Sequence, residues 1–408
     1  MAEKNFKVNI FEGSDNTVKT ECLFLCAALN KTEFISEADT DWNAVFEDLY
    51  SQTSETIPGN YLNSLGLEPG LKMKWKMQSM KRLNDFYRIM EAQDALVKLL
   101  NAHNIKFAIL KGSAASMYYP EPQYRAMGDI DFLVEPERFD EAFDILKANG
   151  FTDGHAQFSR HEQLFFNGCE LEMHKYFSLK GDSDELNEID YIFFDGLQHT
   201  ETKYIENHAF PVLPPLQNGL ILLQHLKHHL RRSLGLRQIA DWMMYVKNVL
   251  TDEMWSNSFK AEADKAGLTQ LAVTVTRMCQ MALGLDESIT WCKDADERLC
   301  KQLFEHVILS GNMGSKRKED KVQTSIDQNR GFFNVFRKLQ QNGLRKWVAA
   351  KEHKILRPLA WLWMLFHYLN VARKNNISVK KIISSGKSSL ATDKMFEELG
   401  CPDDLVGE

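Results

Sequence analysis

Asp129 and Asp131 stand two residues apart in the apolar run Asp129-Ile-Asp-Phe-Leu-Val134. In an extended strand such residues share a face, so both carboxylates project from one side while Ile130 and Phe132 anchor the other. Neighbouring carboxylates repel and call for a cation, and hard oxygen ligands at this spacing suit Mg²⁺ or Mn²⁺. Downstream, Glu170, Glu172 and His174 alternate in Glu170-Leu-Glu-Met-His-Lys175 and share a face in turn. If that strand lies beside the first, a third carboxylate meets the pair. Three carboxylates can hold two divalent ions, the arrangement for in-line attack on a nucleoside triphosphate. Upstream, Gly112-Ser113 closes a short apolar strand, Lys106-Phe-Ala-Ile-Leu110, and opens a helix. Glycine there lets backbone N–H groups approach a phosphate, and the start of a helix favours its negative charge. The Ser113 hydroxyl adds a donor. Arg125 and Lys175 flank the acids and are candidates to neutralise phosphate oxygens.

A second group of chemistry-bearing residues lies in Gln224-His-Leu-Lys-His-His-Leu-Arg-Arg232, followed by Arg237 and Asp241. On a helix His225, His228 and His229 fall within one turn of each other, a spacing open to zinc. Histidines at the polar–apolar boundary of a packed helix are the commoner reason for such a pattern.

The elements that must position these residues follow from periodicity. Apolar residues from Met73 to Leu99 recur at three and four, which predicts a long helix over 71–102. Residues 103–180 then read strand, short helix (114–119), strand, helix ending at Gly150, and a hairpin around Asn167-Gly168, a strong two-residue turn signal. A helix over 184–195 and a hairpin ending at Pro214-Pro215 follow. Residues 217–250 read as one long helix or two broken near Gly235, with further helices near 252–266, 268–283, 294–310, 332–350 and 355–374. Residues 1–70 read as short elements, with a helix over 41–50 and a turn at Pro58-Gly59. The polar stretch 311–330 reads as a loop. The fold class is therefore α+β: a small mixed-sheet core over 103–215, a mainly helical region over 1–102, a helical region over 216–310, and a basic helical region with an acidic tail over 311–408.

Composition narrows the function classes. The chain has 408 residues with a net charge of −7, which excludes a globally basic nucleic-acid coat protein. The charge is uneven, however: residues 316–381 carry 16 basic and 4 acidic side chains. There Trp347, Trp361, Trp363, Phe366 and Tyr368 interleave with Arg337, Lys338, Arg345, Lys346, Lys351, Arg357, Arg373 and Lys374. A solvated helical face, a surface touching anionic lipid and a nucleic-acid contact are three readings of that segment. The seven cysteines form no Cys-x-x-Cys pair. Their odd number in a large chain argues against a disulfide scaffold and for a reduced, cytoplasmic setting. The N-terminus shows no apolar signal core, and the longest apolar run, Leu359–Phe366, is too short to span a bilayer.

The stretch LKGSAASMYYPEPQYRAMGDIDFLV followed by ELEMHKYF resembles the DNA polymerase beta-like nucleotidyltransferase superfamily, and within it the bacterial family called uncharacterised nucleotidyltransferase. The match covers roughly 105–180 and continues weakly to about 250. The resemblance implies an enzyme that moves a nucleoside monophosphate from a nucleoside triphosphate to a hydroxyl-bearing acceptor, with Mg²⁺ or Mn²⁺ and release of pyrophosphate. It implies that Asp129 and Asp131 hold metal. It makes Glu172, two residues before His174, the third carboxylate and the activator of the acceptor, with Glu170 competing for the role. Lys111, Gly112 and Ser113 match the phosphate-binding turn, and Arg125 matches the arginine before Gly-Asp. The family also carries His and Asp in the later helical region, which implies that His225, Arg237 and Asp241 border the base or acceptor. One departure is the longer spacing of fifteen residues between Ser113 and Asp129. Two other readings of the same site are an enzyme acting on an RNA end and a nucleotide-binding regulator without turnover.

Overall fold

The computed structural model describes residues 6–157, 161–177, 188–231, 234–312, 339–340, 343–344, 347, 354–374, 392 and 394–401. The chain divides into two compact units, residues 1–313 with 399–408, and residues 314–398. The first carries the sheet and every candidate site residue.

Its frame is a seven-stranded mixed sheet in the order β3-β4-β5-β2-β1-β7-β6. The strands are β1 (Phe107–Leu110), β2 (Asp129–Val134), β3 (Thr152–Gln157), β4 (His161–Phe166), β5 (Cys169–His174), β6 (Glu201–Ile205) and β7 (His208–Val212). β1 runs antiparallel to β2, and β2 runs parallel to β5. The hairpin β4–β5 turns at Asn167-Gly168, where both residues take positive φ (49° and 72°). That is the mirror-image turn whose twist matches paired strands, which is why Asn-Gly signals it.

One sheet face is buried by two helices. Ile130, Phe132 and Val134 of β2 and Cys169, Leu171 and Met173 of β5 pack against Phe86, Ile89, Met90, Leu96 and Leu100 of α3 (Pro69–Ala102) and Phe139, Ala142 and Leu146 of α5 (Phe139–Ala148). α3 starts where Glu68 accepts from the Leu71 N–H and Pro69 needs no N–H partner. At 34 residues it is about 51 Å long, enough to pack its second half on the sheet and its first half elsewhere. In that first half Trp75 is fully buried among Phe24, Trp42 and Phe46, and its indole N–H donates to Glu55 O at 2.7 Å. The opposite sheet face is left to the acids of β2 and β5.

The 217–250 pattern resolves into two helices, α7 (Pro215–Leu230) and α8 (Leu236–Asn248). They part where Gly235 lies so close to Asn312 that a Cβ there would sit 2.8 Å from the Asn312 Cβ. α7 and α8 then pack closely: a Cβ at Gly219 would fall on the Tyr245 phenol, whose hydroxyl donates to Pro215 O at 2.9 Å. Two elements are absent from the sequence reading. The helix α1 (Asn16–Asn30), capped by the Asp15 side chain on Val18 N, occupies a region read as short elements. β3 extends the hairpin into a three-stranded edge; Thr-Asp-Gly-His-Ala-Gln has no apolar alternation, and only pairing with β4 reveals it.

Of the second unit, the described residues include a helix, Ala360–Lys374, preceded by a 3₁₀ segment, Lys354–Leu359. The Trp363 ring stacks with Trp347 and with His367, with ring centroids 5.7 and 5.3 Å away. Arg337, Lys338, Arg345, Lys346, Lys351 and, of the loop expected over 311–330, all but Gly311 and Asn312 lie outside the described residues. No helix among the described residues is long and apolar enough to cross a membrane. All seven cysteines are free thiols, and all but Cys26 are buried.

Candidate active site

Strand register assembles the acids. β2 and β5 pair in parallel with Asp129 opposite Glu170, Asp131 opposite Glu172 and Leu133 opposite His174. Because both strands alternate, Asp129, Asp131, Glu170, Glu172 and His174 emerge on the same face. The Asp131 carboxylate is the hub. Its Oδ1 accepts from the Lys111 ammonium at 2.6 Å and lies 2.9 Å from His174 Nε2. His174 Nε2 is also 3.5 Å from Glu172 Oε2, and His161 on β4 approaches Glu172 Oε1 at 3.9 Å. Glu170 is occupied differently, accepting a hydrogen bond from the Gln163 amide.

Lys111 ends β1 and opens α4 (Gly112–Ser116). It does so with φ 46° and ψ −127°, a left-handed conformation that costs a non-glycine residue about 1–3 kcal/mol. That backbone turn aims the ammonium back along the sheet to Asp131. Gly112 follows beside β2, where a Cβ on it would make ordinary van der Waals contact with Asp129 O at 3.6 Å. The N–H groups opening α4 have no partner within that helix and are the donors of the turn. The Ser113 hydroxyl, by contrast, is buried and bound to Gln93 Oε1 of α3 at 2.5 Å, so its role is to tie the turn to the core.

The electrostatics follow from this crowding. The Asp131 charge, together with burial, raises the Asp129 carboxyl to about 6. Burial would also raise Asp131, but the Lys111 charge and the His174 hydrogen bond outweigh it and hold Asp131 well below the usual carboxylate range. Burial pulls His174 down, and its hydrogen bonds to Asp131 and Glu172 overcome that, leaving it raised. Lys111 is likewise raised, the three surrounding acids overcoming its desolvation.

The residues present fit a hard divalent cation. Among the described residues, Asp131, Glu172 and His174 bring their ligand atoms within 4.8 Å of one another. Asp129 adds a further carboxylate on the same face, its pKa raised by the Asp131 charge and by burial against the Lys111 charge.

The far wall comes from α7 and α8. Arg125, in the loop before β2, forms a buried two-point pair with Asp241 of α8, Nε to Oδ1 at 2.9 Å and Nη2 to Oδ2 at 2.6 Å. The Tyr119 hydroxyl donates to the same Asp241 Oδ1 at 2.8 Å. The two residues expected at phosphate and acceptor thus engage each other. Arg237 reaches the Ala126 carbonyl at 2.9 Å, and its charge acts on Asp129. His225 of α7 is held well below the ordinary histidine range, first by burial and then by the Lys111 charge. Lys175 is not brought to the acids. Its ammonium lies over the rings of Phe139 and Tyr176, and Phe139 belongs to the apolar face of the sheet.

Tyr119, Gln93 and His161 escaped the sequence reading. His161 stands directly opposite His174 in the β4–β5 register, a relation visible only once the hairpin is paired. Tyr119 and Gln93 read as ordinary helical and loop residues, and no spacing links them to Asp241 or Ser113.

A strand ending in a glycine turn, an antiparallel neighbour bearing Asp-x-Asp and a third acid on the parallel strand beyond define a nucleotidyltransferase core. The chain belongs to the uncharacterised nucleotidyltransferase family, whose model matches residues 62–284. Among solved structures it is similar to an antigenic nucleotidyltransferase-like protein from Paracoccidioides brasiliensis, at 16% identity and a TM-score of 0.31, with 50% of this chain and 96% of that chain covered. No curated protein matches.

Proposed function

We propose that this chain transfers a nucleotidyl group from a nucleoside triphosphate to a hydroxyl-bearing acceptor, with Mg²⁺ or Mn²⁺ held by Asp129, Asp131 and Glu172. The observation that carries the reading is the register of Asp131 opposite Glu172, with their side chains joined through His174. When bound, the divalent ions supply charge neutralisation on the attacking and leaving oxygens.

The chain's own residues do the rest by position and charge. The backbone donors at Gly112 and Ser113 hold phosphate oxygens, with the Lys111 ammonium beside them. Glu172 has 26% of its side chain exposed against 4% for Asp131, and so is the carboxylate open to an incoming acceptor. It takes the acceptor hydroxyl proton as that oxygen bonds to the α-phosphorus. The bond from the α-phosphorus to the bridging oxygen breaks, and pyrophosphate leaves with the electron pair. His174 orients Asp131 and Glu172 through one nitrogen. The α7–α8 wall, bearing His225, Arg237 and Asp241, borders the acceptor or base.

The test is incubation of the full chain with each of the labelled triphosphates and Mg²⁺. Metal-dependent binding and pyrophosphate release are expected, both lost in the Asp129→Ala/Asp131→Ala double variant. Absence of metal-dependent binding, or binding indifferent to the double variant, overturns the reading.

A further inference from the structure

Two arginines lie at the α8 wall, and only one has its charge consumed. Arg125 gives both faces of its guanidinium fork to Asp241, a two-point pair that leaves that corner neutral. Among the described residues no carboxylate forms an ion pair with Arg237, although the Asp241 and Asp129 charges act on it. Its hydrogen bond is from Nη1 to the Ala126 carbonyl at 2.9 Å, and its buried Nε has no hydrogen-bond partner. Burial first, and then the neighbouring Arg125 charge, hold its pKa below the ordinary arginine value against the Asp241 and Asp129 charges. The Ala126 hydrogen bond holds the guanidinium against the loop entering β2, three residues before Asp129, and its charge acts on both Asp129 and His225.

The backbone of Arg237 is tied to the same junction. Its backbone carbonyl accepts from the Tyr119 hydroxyl at 3.4 Å, and the same hydroxyl donates to Asp241 one helical turn on. The Arg125–Asp241 pair fastens that turn to the loop leading into β2. A half-buried guanidinium that gives one Nη1 N–H to a carbonyl keeps further Nη N–H groups for a doubly accepting anion, which a phosphate provides.

We propose that Arg237 binds the phosphate chain of the nucleoside triphosphate, and that Arg125, Tyr119 and Asp241 are positioning residues that hold it there. The inference rests on the nucleotidyltransferase reading above, and it moves the phosphate-binding arginine from the loop before β2 to α8. Glycine-turn donors and Lys111 then meet the phosphates from the sheet side and Arg237 from the helix side.

The experiment is calorimetric titration of the full chain with three probes in the presence of Mg²⁺: a non-hydrolysable triphosphate, its nucleoside monophosphate, and inorganic tripolyphosphate. Arg237→Gln should weaken the triphosphate and tripolyphosphate by about 10- to 100-fold and the monophosphate by less than about threefold. Arg237→Lys, which keeps the charge without the fork, should fall between. Mn²⁺ binding read by electron paramagnetic resonance should be unchanged or tighter in Arg237→Gln, because a cation beside Asp129 has been removed; this also reports an intact acid cluster. Triphosphate affinity unchanged in Arg237→Gln overturns the proposal and spares the nucleotidyltransferase reading. Equal weakening of monophosphate and triphosphate also overturns it, placing Arg237 on the base side. If the wild-type chain binds no triphosphate, the nucleotidyltransferase reading fails and this one with it.

Discussion

Arg125 and Asp241, 116 positions apart in the chain, form a buried ion pair with two hydrogen bonds, at 2.9 and 2.6 Å. It joins the loop entering the acid-bearing strand to the helix that walls the site. Asp241 also receives the Tyr119 hydroxyl. Each polar group at this junction is desolvated, so the pair is better read as a device for geometry than as a source of net stability.

Asp241→Ala should therefore be costly. It leaves the Arg125 guanidinium buried and uncompensated, a loss of about 3–5 kcal/mol in chemical denaturation. Replacing both partners, Arg125→Met with Asp241→Leu, should recover much of that stability while triphosphate affinity stays low. A single variant as stable as wild type would show that the pair is not desolvated in solution.

Asp129 predicts a pH dependence with a definite sign. Its carboxyl is raised from 3.8 to about 6, chiefly by the Asp131 charge. The metal-free fold thus favours the protonated form. That contribution to stability is full below the unfolded pKa and is lost as pH rises through about 6. Divalent cation binding needs the ionised form, so Mn²⁺ affinity should climb as pH rises through about 6, and further as the raised His174 beside it loses its proton. Thermal stabilisation by Mg²⁺ should likewise be larger at pH 7 than at pH 5. Asp129→Asn should remove the part of the dependence near pH 6; a wild-type affinity flat over pH 5 to 7 would contradict it.

Lys111 occupies the Asp131 oxygen that a metal would use, at 2.6 Å. Lys111→Met should therefore tighten Mn²⁺ binding by about tenfold, about 1.4 kcal/mol, while weakening the triphosphate, whose phosphates lose an ammonium. Opposite movement of the two affinities is the signature. Weaker Mn²⁺ binding in a folded Lys111→Met chain would mean that the lysine orients Asp131 instead of competing for it.

Much of this arrangement was legible in local sequence, because local chemistry dictates it. The alternation of Asp129 and Asp131 with Ile130 and Phe132 fixes which side chains share a face. Asn167-Gly168 demands a mirror-image turn, and the apolar repeat after Met73 demands a helix. The sequence order of glycine turn, acid pair and third acid carried the family. What the sequence left open are relations between distant segments. Glu172 rather than Glu170 meets Asp131 because of a parallel register; the resemblance favours Glu172, but alternation alone leaves Glu170 competing until the strands pair. Arg125 and Lys175 are both plausible phosphate partners by position. Yet one is drawn into an ion pair with Asp241 and the other over the ring of Phe139. A charge's chemical fate depends on the nearest opposite charge or ring in space, and that neighbour comes from an element packed against it, unreachable by spacing along the chain. The residue types of the site are therefore written in the sequence, and tertiary packing alone decides which of their charges remain available to a ligand.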